Sequence, residues 1–228
     1  MMWGLLLMYA CGSIVTHDTA RITTQHTSDL RVAVAVTQNA SPVTGILRVP
    51  SLDLVYRRAL GPDSDIGFKV LGGAPGIDVR QRIVRKAGFD LTIGPAASGV
   101  YTPVGVGGVV GTGFVSFTSP VLATVALSRD QSLTLNVRPG LRWLTTTSSG
   151  SGFVSEGVNN VLPLFGGGIR WEIRGSRRGF AIAGDMLTRP GRGGPVGWAV
   201  SLQSVASAHR GPDRLKRAIK KSSKEAAR

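Results

Sequence analysis

The chain has 228 residues, 31 of them glycine, and a formal net charge of +14. Apolar residues make up 42% and charged residues 18%, which excludes a disordered chain. The single cysteine excludes a disulfide framework and a cysteine-rich zinc site. An excess of positive charge of this size points to an anionic partner.

The first ten residues, MMWGLLLMYA, carry no charge and have the length of a signal-peptide apolar region. Residues 1–10 are expected to be a signal peptide, and residues 11–28 a linker. Ala10-Cys11-Gly12 resembles the lipobox of bacterial lipoproteins. That resemblance implies lipidation of Cys11 and, with Gly12 following it, sorting to the outer membrane.

From Asp29 to Ser207 the hydrophobic pattern has a period of two, which predicts strands and excludes a helical body. Leu30, Val32, Val34 and Val36 alternate with Arg31, Ala33, Ala35 and Thr37. Leu52, Leu54 and Tyr56 then oppose Asp53, Val55 and Arg57, and Ile66, Phe68 and Val70 oppose Asp65, Gly67 and Lys69. Ile77, Val79 and Ile83 oppose Asp78, Arg80 and Arg82; Phe89, Leu91 and Ile93 oppose Asp90 and Thr92. A long apolar face follows over Val115–Leu127. After it, Leu133, Leu135, Val137, Leu141 and Trp143 oppose Thr134, Asn136, Arg138 and Arg142. Ile169, Trp171 and Ile173 oppose Arg170 and Glu172. Phe180, Ile182 and Met186 oppose Ala181, Ala183 and Asp185, and Trp198, Val200 and Leu202 oppose Ala199, Ser201 and Gln203. These segments predict ten strands.

Four connections read as tight polar turns: Gly61–Ser64, Arg85–Gly88, Ser128–Gln131 and Arg174–Gly179. Gln38–Pro50, Ala97–Gly113, Thr145–Asn160 and Thr188–Pro195 read as long loops, and Gly72–Gly76 as a short link among them. Short turns on one rim, longer loops on the other and an even strand count predict an antiparallel up-and-down transmembrane β-barrel over residues 29–207. Tyr56, Phe89, Trp171 and Phe180 fall near the short-turn rim, where an aromatic girdle would sit.

Alternation alone does not decide which face is inside, since a soluble barrel would turn the apolar face inward. The polar face carries Arg31, Arg57, Lys69, Arg80, Arg82, Arg138, Arg142 and Arg170 with Asp53, Asp65, Asp78, Asp90, Glu172 and Asp185. Eight cations against six carboxylates are near balance, so in a narrow lumen they are expected to pair; on an open surface they would be solvated. Gln81 and Arg58 interrupt the apolar face.

The run SLDLVYRRALGPDSDIGFKV (51–70), and NVLPLFGGGIRWEI followed by RRGFAIAGDML within 160–187, resemble hairpins of bacterial outer-membrane β-barrel proteins. The restart Asp65-Ile66-Gly67 after a Gly/Asp turn is part of that likeness. It implies a porin-like small barrel in the outer membrane, in contact with its lipid. Such barrels end on an aromatic residue, where this chain has Val205-Ala206-Ser207.

Residues 208–228 hold eight Lys or Arg and two acids, a basic tail suited to anionic headgroups or envelope polymer. Nucleic acid is a third class of partner, against which the barrel pattern and signal both argue. The three histidines, His17, His26 and His209, lie outside the predicted strand body. The barrel is therefore expected to hold neither a Ser/His/Asp site nor a metal, and no cofactor motif is present. A structural, interaction or narrow porin-like role is expected, not an enzyme. The alternative is a soluble periplasmic β-barrel or sandwich lipoprotein that binds an apolar ligand inside.

Overall fold

A computed structural model describes residues 17–23, 27–41, 45–104, 110–148, 158–175, 178–188 and 195–209. The expected signal, Cys11, and the tail beyond His209 lie outside the described residues. The strand segments are β1 (Thr27–Ser41), β2 (Gly45–Ala59), β3 (Ser64–Leu71), β4 (Ala74–Lys86), β5 (Phe89–Ile93) and β6 (Ala96–Val104). They continue as β7 (Val110–Thr118), β8 (Val121–Ala126), β9 (Gln131–Ser148), β10 (Val158–Arg174), β11 (Arg178–Thr188) and β12 (Pro195–His209).

These twelve segments make ten staves. β4 pairs with both β5 and β6, and β9 pairs with both β7 and β8, so each of those couples is one strand broken in the middle. Proline explains the breaks, because it has no N–H to give to the ladder. Pro95 and Pro120 interrupt adjacent strands, and Pro139 stands beside them. Val79 donates to the carbonyl of Pro95 (3.0 Å), Gly94 to that of Pro120 (3.3 Å) and Ser119 to that of Pro139 (2.9 Å). The three prolines form a crease across the wall. β1 pairs with β12 from Thr27↔His209 to Asn39↔Gly197, so the sheet closes on itself with every neighbour antiparallel.

The upper connections differ from the expected loops. β1 and β2 remain paired to Ser41↔Gly45, within the span read as a loop from Gln38 to Pro50. β6 and β7 pair to Val104↔Val110, inside the expected loop Ala97–Gly113. β9 runs to Ser148 and β10 starts at Val158. Gly, Ser and Pro lower strand preference, but hydrogen-bonded neighbours override it. The β3–β4 link is a two-residue turn in which Gly72 (φ 57°) and Gly73 (φ 88°) both take the positive φ of a primed hairpin turn.

The two faces are inverted relative to a soluble barrel. Leu30, Val34, Leu52, Leu135, Val200 and Leu202 point outward and are exposed. Arg31, Asp53, Arg57, Asp65, Arg80, Arg170 and Glu172 point inward and are buried. An apolar belt around a charged interior costs too much in water and suits hydrocarbon. The soluble alternative with an apolar interior therefore does not hold. Gln81 is on the outer face as expected. It pairs with Ser64, the first residue of β3, so it sits at the level of the short-turn rim, out of the apolar belt. Arg58 pairs with Ser28 and Ile66 near the same rim.

Candidate functional site: the charged lumen

The segment His17–Thr23 lies inside the barrel, and all of it except half-buried Arg21 is buried. It has no strand alternation, and polar anchors hold it to the wall. The Nε2 of His17 lies 2.7 Å from Oδ2 of Asp53. Arg31 donates to the carbonyl of His17, and Arg80 to the carbonyl of Thr19. Ala20 N donates to Thr124 Oγ1 at 2.8 Å, and Thr23 N to Asp65 Oδ2 at 2.9 Å. His17 lies before the first strand, as the sequence predicts, and its side chain is buried in the lumen. Even so, no cluster of three or more His, Cys, Asp or Glu able to hold a metal occurs among the described residues.

Arg57 is the centre of the anchors. Its Nε donates to Asp18 Oδ1 (2.7 Å), its Nη1 to Asp65 Oδ1 (2.6 Å) and its Nη2 to Asp78. A planar guanidinium with donors on three sides suits such a ring of carboxylates. Arg80 completes Asp65 from the other side through Nε (2.9 Å) and Nη2 (2.5 Å). Lys69 bridges Asp18 and Asp78, the latter at 3.0 Å. Asp53 also accepts from Gly72 N at 2.6 Å, which ties the β3–β4 turn to the site. Gly67 leaves room for the ring. A Cβ there would stand 2.5 Å from Asp78 Oδ1 and 2.8 Å from Arg57 Nη2.

The remaining charges fall into smaller groups. Arg138 donates to Asp185 Oδ1 (2.9 Å), which also accepts from Asn136 (3.2 Å). Arg142 donates to Ser116 Oγ at 2.9 Å and lies 4.7 Å from the centre of the Phe114 ring, within cation–π range. Arg170 pairs with Glu172 at 2.7 Å, and Arg174 reaches Glu172 at 2.6 Å and Asp29 at 3.6 Å. Arg82 and Asp90 form a further pair on the polar face. They lie 3.8 Å apart near the rim, and Arg82 pairs mainly with exposed Asp63. A shift in register between Arg82 and Val84 accompanies this position.

Sequence reading missed His17, Asp18, Asp29, Arg174 and Asp63. The one available signal was arithmetic: eight cations against six carboxylates leave a deficit of acids that Asp18 and Asp29 reduce.

Asp18 is the electrostatic hinge of the inserted segment. Burial alone would raise its pKa, but Arg57, Lys69 and Arg80 outweigh it and hold the carboxyl well below its ordinary value. A depressed carboxylate pKa stabilises the docked segment at and above the ordinary carboxylate range. That stabilisation is lost as pH falls through the lowered value. A nitroxide on Arg21→Cys, in a Cys11→Ser background, should thus stay immobilised from neutral pH down through the usual aspartate range. Its spectrum should sharpen only at more acidic pH. Release already between pH 7 and 5 would contradict the assignment.

Ten antiparallel strands, tight turns at one rim, an apolar outer belt and a charged interior define a transmembrane β-barrel of the outer-membrane type. Outward aromatics lie towards both rims: Tyr56, Phe89, Trp171 and Phe180 near the short turns, and Tyr101, Trp143, Phe165 and Trp198 towards the other end. Neither a family model nor a curated protein matches the sequence. Solved structures similar to the chain are outer-membrane barrels. The outer membrane protease OmpT from Escherichia coli is 6% identical, with a TM-score of 0.45 over 79% of this chain and 94% of that one. Ail of Yersinia pestis, in complex with the heparin analogue sucrose octasulfate, is 10% identical, with a TM-score of 0.41 over 81% and 98%. The translocator domain of the autotransporter NalP from Neisseria meningitidis is 9% identical, with a TM-score of 0.40 over 90% and 94%. The likeness is one of architecture.

Proposed function

We propose that this protein is a plugged outer-membrane scaffold with an interaction role, without enzymatic activity and without a free diffusion path through its lumen. The observation that supports this is the seating of His17–Thr23 among Arg57, Arg80, Lys69 and Asp65, where a channel would need open space. A ten-stranded barrel is narrow, and side chains already fill much of such an interior. Outer-membrane lipid surrounds the wall. Residues 208–228 supply a second contact, an electrostatic one to anionic headgroups or envelope polymer that weakens with salt. Cys11 adds a lipid tether on this reading. Neither nucleic acid nor metal is part of it.

The test is conductance in a planar bilayer. The intact chain should be silent, and Asp18→Ala should give intermittent openings, because it removes the carboxylate shared by Arg57 and Lys69. Steady ohmic conductance from the intact chain would sink the plugged reading.

A further inference from the structure

The wall of the barrel is uneven in height. β3 has 8 residues, fewer than the roughly 9–11 a tilted strand needs to cross a bilayer. Its hairpin with β4 turns at Gly72–Gly73, while the strands on either side continue. Among the described residues, 45–52 of β2 pair with β1 alone, and 99–104 of β6 pair with β7 alone. Above the hairpin, the described wall therefore has a notch bounded by two strand edges. The pairing of β6 with β4 is limited to Gly76↔Ser98, Ile77↔Ala97 and Asp78↔Ala96, because β4 begins at Ala74, just after the turn.

A cavity of about 840 Å³ opens at this notch, within the range of small-molecule sites. On its outer side it is apolar, with Pro75, Ile77, Phe117 and Trp143 beside small Gly99 and Gly113. It is also lined by Val100 and Phe114. These two residues pair with each other and Phe114 is buried, so a lumen-facing side chain joins the outward ones in the lining. A smaller inner cavity of about 100 Å³ shares Gly76, Ile77, Ala97 and Ser98 with it. Its charged lining is Lys69, Arg138 and Arg142 with Asp18; Lys69 also pairs with Asp78 and Arg138 with Asp185, while Arg142 donates to Ser116 Oγ. His17 and Asp18 also border this cavity, so the inserted segment forms part of its wall.

We propose that the notch binds a single-chain anionic amphiphile, its tail in the outer groove and its carboxylate in the inner cavity near Lys69, Arg138 and Arg142. This rests on the plugged reading only in that His17 and Asp18 border the inner cavity.

The probe is dibromostearate, which quenches nearby tryptophan. The protein is the full chain in nanodiscs with Trp3, Trp171 and Trp198 changed to Phe, so that Trp143 alone reports. Quenching should saturate. It should weaken about tenfold in Arg142→Gln, as loss of one charge-assisted hydrogen bond implies. It should also weaken about tenfold for the uncharged methyl ester, and the saturable part should vanish in Ala97→Leu, which fills the groove. Heat-modifiable gel mobility checks that each variant has folded; if Ala97→Leu does not, Val115→Phe narrows the same groove. Quenching that only rises in proportion to probe content, equally in the groove variants, would mean bulk lipid contact and overturn the proposal. Equal saturable quenching by the methyl ester, or by a two-chain brominated phospholipid, would overturn it too. Conductance reads the plug and quenching reads the notch, so failure of either reading is seen separately.

Discussion

Arg57→Ala is expected to cost about 3–5 kcal/mol of barrel stability, the range found when one partner of a buried ion pair is removed. Its guanidinium is fully buried and donates to Asp18, Asp65 and Asp78. Once it is gone, Asp78 keeps Lys69 and Asp65 keeps Arg80, but both carboxylates lose a donor they cannot replace from water. Asp18 loses one of its two cations, so the inserted segment loosens with the wall. Arg58→Ala is the internal control. Arg58 is exposed on the outer face and pairs near the rim, and its loss should leave the unfolding midpoint unchanged. Urea unfolding of the refolded protein, followed by heat-modifiable mobility, compares the two. Equal and small shifts would mean that the polar face is solvated.

Val200→Arg should cost roughly 2–4 kcal/mol in a bilayer, as for a cation near the midplane of a barrel's lipid face. Val200 is 48% exposed on the outer face of β12, between outward Trp198 and Leu202, and pairs with Val36 and Gly184. Its neighbour Ser201 is buried and accepts from Gln203 Nε2 at 3.0 Å. Ser201→Arg should therefore fail for a different reason, crowding in a filled lumen. Thiol labelling separates the two faces once Cys11 is replaced. Val200→Cys should react with a membrane-soluble maleimide and resist a charged one, and Ser201→Cys should resist both. Labelling of Val200→Cys by the charged reagent in intact membranes would mean that β12 does not face lipid.

The barrel was legible in the sequence because a strand's faces alternate whatever surrounds them. Arg31, Asp53, Arg57 and Asp65 announced one face, and Leu30, Leu52 and Tyr56 the other. Which face is interior was not legible from periodicity, and only closure of the ring decided it. Strand ends were misjudged where composition and register disagree. ASGVYTPVG (97–105) reads as a loop, yet its backbone pairs with β7 up to Val104. The proline crease was equally hidden, since Pro95, Pro120 and Pro139 lie far apart in sequence and meet only through strand alignment. The inserted segment HDTARIT (17–23) carries no periodic signal at all. Its place is fixed by complementary charge, a property of the assembled lumen and not of any local window.

The seam between β1 and β12 has a consequence for how the chain reaches this state. Thirteen residue pairs join the first strand to the last, across nearly the whole length of the barrel sequence. Ring closure is thus the contact of greatest sequence separation, and topologies dominated by such contacts fold slowly. A nascent chain lacking β12 leaves β1 and β11 with bare edges that hydrocarbon cannot satisfy. Insertion is then all-or-none with respect to synthesis, and β12 must be complete before the ring can close. The anchors of His17–Thr23 come from β1, β2, β3, β4 and β8, and these face one enclosed lumen only once the ring has closed, so capture of the inserted segment depends on sealing of the barrel.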